Sequence, residues 1–226
     1  AAEREDLPEP VQDYLDQVAH FNPGGEARVY PGSPVLMAQL LRHEARDRLK
    51  LFELHPTDIN ALAGNMAQLE LGRAVQVSRE DGFESLKKLL PPPASTSGSK
   101  RAMVLIDPSY EIKSDYAKVS SVIAECLKRF PTGTYLVWYP IIPRPEAHEL
   151  PRRLRTLANQ SRRSWVHATL AIGRGEEGDT GLSASGMFVI NPPYTLAEQL
   201  RAALAVVGPA LARGNGKGWQ VEAGGA

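Results

Sequence analysis

Four consecutive residues carry the sharpest chemical signal in the chain: Asp107-Pro108-Ser109-Tyr110, directly after the apolar run Ala102-Met103-Val104-Leu105-Ile106. A carboxylate and the backbone carbonyl that follows it are two acceptors, able to take both hydrogens of an exocyclic NH2. Held that way, the nitrogen lone pair turns out of conjugation and can act as a nucleophile toward a methyl donor. The ring of Tyr110 can stack on the base that bears the amine. Such chemistry requires the base to leave its stack in a nucleic acid, and an aromatic platform stabilises the flipped form. A second copy of the pattern, Asn191-Pro192-Pro193-Tyr194, follows Met187-Phe188-Val189-Ile190. By letters alone it is the cleaner match. However, Thr195-Leu196-Ala197-Glu198 behind it is a capping box, so the diproline reads as a strand end that sets up a helix. The expected acceptors are therefore Asp107 and the carbonyl of Pro108, with Tyr110 as platform.

Two further acids stand at the ends of strand-like runs, Glu53 within 48–54 and Asp81 just beyond 74–78. A cofactor with a ribose and an adenine could engage both, Glu53 at the ribose hydroxyls and Asp81 at the adenine amine, with Phe83 against the ring. His55 could line that site or cap the following helix. His148 and His167 have no Cys or His at metal spacing, and the single cysteine, Cys126, reads as a small core residue, so no metal is expected. The Gly-x-Gly-x-x-Gly pattern is absent. The glycine-rich stretch 214–218 has no strand feeding it and is assigned no phosphate role.

These residues need elements to position them. The pattern predicts helices over 8–20, 56–69, 83–90, 116–130 and 146–157, and another from Leu196 onward. Ser33 suits an N-cap and Pro34 the first position of a helix over 35–41. Strands are predicted over 48–54, 74–78, 102–106, 134–139, 165–171 and 186–190. Apolar strands alternating with helices argue an α/β fold with a mostly parallel sheet covered on both faces. The last two strands lack a helix between them and read as an antiparallel hairpin or an edge pair. In such a sheet ligands bind beyond the carboxyl ends of the strands. The segments 91–101 and 173–181 read as loops, the first as a mobile one.

With 26 basic and 26 acidic residues the net charge is zero, so nucleic-acid binding would have to be local. Acids crowd the first 16 residues, while Arg144, Arg152, Arg153, Arg155, Arg162 and Arg163 form a basic run opposed by Glu146 and Glu149. No apolar run approaches the roughly 20 residues that span a bilayer, and no export signal is seen, so a cytoplasmic protein without a membrane partner is expected. The chain starts without Met.

Several stretches, in order along the chain, resemble the bacterial adenine-N6 methyltransferases of 23S ribosomal RNA known as RlmJ. They are Tyr30-Pro31-Gly32-Ser33-Pro34, Glu53-Leu54-His55-Pro56-Thr57-Asp58, Asp81-Gly82, Leu105-Ile106-Asp107-Pro108-Ser109-Tyr110-Glu111, Trp138-Tyr139-Pro140 and Gly186-Met187-Phe188-Val189-Ile190-Asn191-Pro192-Pro193. The resemblance implies a Rossmann-like class I methyltransferase using S-adenosylmethionine, with a C-terminal antiparallel strand and a small helical insertion. Residues 1–45 would be the remainder of that helical subdomain and its linker, and 46–226 the catalytic core. The cofactor site it implies comprises Ser33, Glu53, His55, Asp81, Gly82, Phe83 and Asp107. Catalysis falls to Asp107, Pro108 and Tyr110, and Arg152, Arg153, Arg155, Arg162 and Arg163 contact the RNA backbone. Two departures stand out. Ser109 replaces the usual proline, which spares the Pro108 carbonyl. The family's basic-histidine start and Gly-containing cofactor loop have no counterpart, which reads as a truncated product or a catalytically disabled one. The expected enzyme is a monomer acting on 23S ribosomal RNA. The alternatives are a DNA adenine-N6 methyltransferase, a non-catalytic nucleic-acid-binding remnant, or a metabolic enzyme on the same fold.

Overall fold

The structure, a computed structural model, describes residues 6–94, 100–174, 181–214, 216 and 218–225. The expected loops 91–101 and 173–181, the acidic start and the glycine-rich stretch fall partly outside the described residues. Two compact units make up the chain. One is Glu9–Lys88; the other is Leu89–Ala226 with the residues before Glu9.

The first unit begins with α1 (Glu9–His20) and α2 (Ser33–Gln39), then alternates β1 (Leu49–Phe52), α3 (Pro56–Ala67), β2 (Val75–Ser78) and α4 (Gly82–Leu89). Strands β1 and β2 pair in parallel, Leu49 opposite Val75 and Phe52 opposite Ser78. Leu51, Met66 and Ala38 form the core between sheet, α3 and α2, with Val35, Met37, Val75 and Val77 packed around them. Ser33 is not the N-cap of α2. Gly32 takes that position, its carbonyl accepting from the N–H groups of Val35 and Leu36, and Ser33 is the first helical residue.

The second unit contains β3 (Met103–Ile106), α5 (Ser114–Arg129), β4 (Thr134–Pro140), α6 (Pro145–Gln160), β5 (Trp165–Ala171), β6 (Ala184–Ile190), α7 (Leu196–Leu211) and β7 (Gly218–Gly224). Helix α5 buries Tyr116, Val119, Ile123 and Cys126, and α6 buries Ala147, Leu150, Leu154 and Ala158, both at three- and four-residue steps that give each helix one apolar stripe. The Cys126 thiol is pushed up to about 11, first by burial, as suits the core position expected of it.

The sheet of this unit corrects the expectation of mostly parallel strands. Its order is β3-β4-β6-β5-β7, and only β3 and β4 are parallel neighbours. Strand β6 inserts antiparallel between β4 and β5, and β7 adds antiparallel to the far side of β5. The expected β5–β6 antiparallel pairing is present, but the pair is not at the edge, since β6 is central and β7 covers β5. The sequence misled because a strand covered on both faces is apolar throughout whichever way it runs. One face, with Tyr135, Val137, Tyr139, Trp165 and Phe188, packs under α5 and α6. The Tyr135 hydroxyl reaches the Cys126 and Phe130 carbonyls at the end of α5, and the Trp165 indole donates to Asn159 of α6 at 3.0 Å. Helix α7 lies on the opposite face, where Gly208 leaves room for the Trp219 side chain: a Cβ there would sit 2.6 Å from the indole Cδ1.

Candidate active site

Asp107 follows the last residue of β3. Since Ile106 pairs with Val137, Asp107 sits level with Trp138 at the carboxyl edge of the sheet. Its carboxylate has no hydrogen bond or ion pair among the described residues. One side of Asp107 is open to solvent, yet the protein around it restricts hydration enough to hold its pKa above the ordinary carboxylate range.

Pro108 and Ser109 turn the chain, and Tyr110 adopts a left-handed backbone, φ +55. The ring is not presented as an open platform. Tyr110 is 2% exposed, its hydroxyl donates to the Trp138 carbonyl at 2.6 Å, and its ring centroid lies 4.7 Å from that of Tyr116. Burial, and then the nearby Asp107 charge, push the phenol far above its usual range, so it stays a hydrogen-bond donor. Arg144 reaches the same loop, one guanidinium nitrogen lying 3.3 Å from the Tyr110 carbonyl and 3.4 Å from that of Glu111. By sequence Arg144 belongs to the basic run; its place at the start of α6, just beyond β4, is the signal that it faces this edge.

The second tetrapeptide lies elsewhere. Because β6 runs antiparallel to β4, Ile190 pairs with Tyr135, and Asn191 falls at the amino end of β4. Four residues of β4 separate that level from Asp107, about 13 Å of strand. The Asn191 amide donates to the Pro131 and Gly133 carbonyls at 2.9 and 2.7 Å, and its own carbonyl accepts from Thr134 Oγ1. Its donors are committed to holding the β4 entry turn, and Tyr194 is 98% exposed.

In the first unit, parallel pairing puts Glu53 and Asp81 at the same edge of the β1–β2 sheet. The Glu53 Oε1 accepts from the His55 N–H at 2.7 Å, and the Asp81 Oδ1 accepts from the Phe83 N–H at 2.8 Å. Each carboxylate is thus oriented by its own loop and keeps its second oxygen without a partner among the described residues. A Cβ on Gly82 would lie 3.3 Å from the Phe52 Cβ, so glycine lets α4 start close against β1. His55 occupies the N-cap position of α3 without a side-chain cap; its ring instead lies 3.2 Å from Asp58. Ser33 is exposed at the start of α2. A pair of oriented, half-free carboxylates beside a half-buried Phe83 fits the hydroxyls, amine and ring of an adenosine.

The basic run divides by partner. Arg155 pairs with Glu222 of β7 and lies over the Trp165 ring, 4.7 Å from its centroid. Arg153 pairs with Glu149 at 2.7 Å on the surface of α6. Arg163 is half-buried, with its Nε shielded and unbonded. Arg152 and Arg162 are exposed and have no ion pair among the described residues. A groove of about 910 Å³ between α5 and α6 is lined by Ser121, His148, Glu149, Arg152, Arg153 and Thr156, among others. Among the described residues no cluster of His, Cys, Asp and Glu could hold a metal ion, and no helix is long and apolar enough to cross a membrane.

Comparison with known proteins gives this geometry a context. The chain is 40% identical over 202 residues to the ribosomal RNA large subunit methyltransferase J of Escherichia coli (strain K12), covering 89% of this chain and 67% of the relative. It is 38% identical over 218 residues to the protein of the same description from Haemophilus influenzae, covering 96% of this chain and 73% of the relative. A crystal structure of protein LPL1258 from Legionella pneumophila superposes with a TM-score of 0.80 at 30% identity, over 99% of this chain and 76% of that one. The family described as ribosomal RNA large subunit methyltransferase D, RlmJ, matches residues 1–223, and the chain belongs to that family.

Proposed function

We propose that this protein transfers a methyl group from S-adenosylmethionine to the exocyclic N6 amine of an adenine in 23S ribosomal RNA. Family membership supports the reaction class. The observation that carries it to particular residues is Asp107, a carboxylate without a protein partner at the carboxyl edge of β3. When bound, the cofactor supplies an electrophilic methyl on a sulfonium. Asp107 and the Pro108 carbonyl accept hydrogen bonds from the two N6 hydrogens, fix the lone pair's direction and oppose the positive charge that grows on nitrogen, and Asp107 is placed to take the one proton that the methylated nitrogen must lose. Direct transfer needs neither a metal nor a covalent intermediate.

In this reading Tyr110 keeps its contacts with Trp138 and Tyr116 and serves the extruded adenine by holding the turn that carries Asp107 and Pro108. Glu53 takes ribose hydroxyls and Asp81 the cofactor's adenine amine, beside Phe83, with Ser33, His55 and Gly82 shaping the same site. Arg152 and Arg162 contact RNA phosphates, with Arg153 and Arg163 as further contacts and Arg155 buttressing α6; such contacts position RNA without reading its bases. In the first unit α1 and α2 are the helical part that leads into β1, and the enzyme works as a monomer in the cytoplasm.

The test is methyl transfer to an unmodified 23S ribosomal RNA transcript and to DNA of matched sequence, with the product nucleoside identified by mass spectrometry. N6-methyladenosine in RNA alone is expected. Equal transfer to both would favour a DNA-type enzyme, and transfer to neither would favour a non-catalytic binding protein.

A further inference from the structure

We infer that Arg144 is a positioning residue for the loop carrying Asp107 and Pro108, rather than a phosphate contact like its neighbours on α6. The inference rests on the roles given to Asp107 and Pro108 above. Tyr110 holds φ +55, a conformation that residues bearing a Cβ avoid, so contacts outside the loop must maintain it. Two sets do. The ring is anchored on one side by its bond to the Trp138 carbonyl. On the other, one Arg144 nitrogen bridges two successive carbonyls, at 3.3 Å to Tyr110 and 3.4 Å to Glu111.

Arg144 is well placed to act as a fixed point. It lies between Pro143 and Pro145 in extended conformation, φ −125 and ψ 133, as the N-cap residue of α6. Proline fixes its own φ and restricts the residue before it, so the joint between β4 and α6 is stiff. The Arg144 N–H donates to the Ile142 carbonyl at 2.7 Å. Two residues on, Glu146 lies 3.8 Å from Lys113, which ties the end of the loop to the same helix start. The loop thus depends on α6 for its shape. The Pro108 carbonyl belongs to the peptide that enters this turn, so its direction depends on the turn keeping its shape. Releasing the Tyr110 carbonyl lets Tyr110 relax to an ordinary φ and turns that acceptor away from the amine.

Arg144→Gln and Arg144→Lys should be compared with the wild-type protein by three readouts. These are kcat and KM on the unmodified 23S ribosomal RNA transcript, the salt dependence of RNA binding, and amide hydrogen exchange over residues 107–113. The glutamine variant is expected to lose kcat by about tenfold or more, as small misplacements of reacting groups do. Its KM and salt slope should hold, and exchange should quicken in 107–113 alone. The lysine variant keeps the charge but carries its donors on a shorter, flexible stem that does not hold one nitrogen against both carbonyls, and should not recover kcat. A raised KM with kcat intact, full rescue by lysine, or unchanged exchange would overturn the inference. So would a general rise in exchange across the unit with a fallen Tm. If the wild-type protein methylates neither RNA nor DNA, the reading of Asp107 fails on its own, and the exchange data still decide whether Arg144 holds the loop.

Discussion

Asp107 combines a raised pKa with the lack of a protein donor, and that has consequences for stability as well as catalysis. Because its folded-state pKa lies above the unfolded value of about 3.9, the carboxyl favours folding below that value, and the benefit is lost as pH rises through the folded pKa. At neutral pH the ionised group therefore opposes folding. Asp107→Asn should raise Tm at pH 7, with the difference from wild type shrinking as pH falls toward 4, while methyl transfer drops on the order of a hundredfold to a thousandfold. A melting series with pH and a methylation assay on the same samples check both halves. Asn191 makes the opposite case. Asn191→Ala leaves the Pro131 and Gly133 carbonyls without their amide donor and a non-glycine residue at φ +53, and should cost about 1–3 kcal/mol in denaturant unfolding with activity per folded molecule unchanged. The chemistry of Asp-Pro-Ser-Tyr was legible because it lies in four adjacent letters. Which copy stands at the carboxyl end of β3 was visible only from strand direction, and the burial of Tyr110 depended on Trp138 and Tyr116, which no local pattern links to it.

At the scale of elements, the second sheet is tied together by a polar chain that crosses it. The Tyr139 hydroxyl on β4 lies 2.7 Å from His167 Nε2 on β5, and the other ring nitrogen faces Glu222 on β7, which Arg155 of α6 also engages. The Tyr139 ring crosses β6 at Gly186, where a Cβ would come within 2.4 Å of the ring carbon Cζ. Gly186→Ala must push the ring aside and should destabilise the protein by about 1–3 kcal/mol in a denaturant titration. Burial depresses the His167 pKa, against the pull of Glu222 and with the help of Arg155. The stabilisation from neutral His167 is full above the unfolded value of about 6.5 and is lost as pH falls through the depressed one, so wild-type Tm should fall from pH 7 to 5 more steeply than that of His167→Gln. Helices and six of the strands could be located from periodicity and apolar runs. Strand β7 could not: it begins in a glycine-rich stretch, and its Glu222 and Gln220 interrupt the apolar pattern because Glu222 serves this network.

Across the whole molecule, a net charge of zero means that RNA affinity must come from a few placed cations rather than from overall attraction. Arg152→Ala and Arg162→Ala should each weaken binding and flatten the log–log dependence of affinity on salt by roughly 0.7 to 0.9, measured by titration at several salt concentrations. Arg155→Ala should instead lower stability, since its guanidinium is committed to Glu222 and Trp165. The basic run looked uniform in sequence because the acid that claims Arg155 lies 67 residues away. The central position of β6 also sets the order in which the chain can assemble. Its two neighbours, β4 and β5, are synthesised before it, and neither can satisfy its inner edge until Ala184–Ile190 has left the ribosome. A nascent chain that stops short of Ala184 therefore carries β4 with its β6-side edge bare and β5 with both edges bare, and bare edges attract other chains. Folding of this unit on the ribosome has to wait until β6 has emerged.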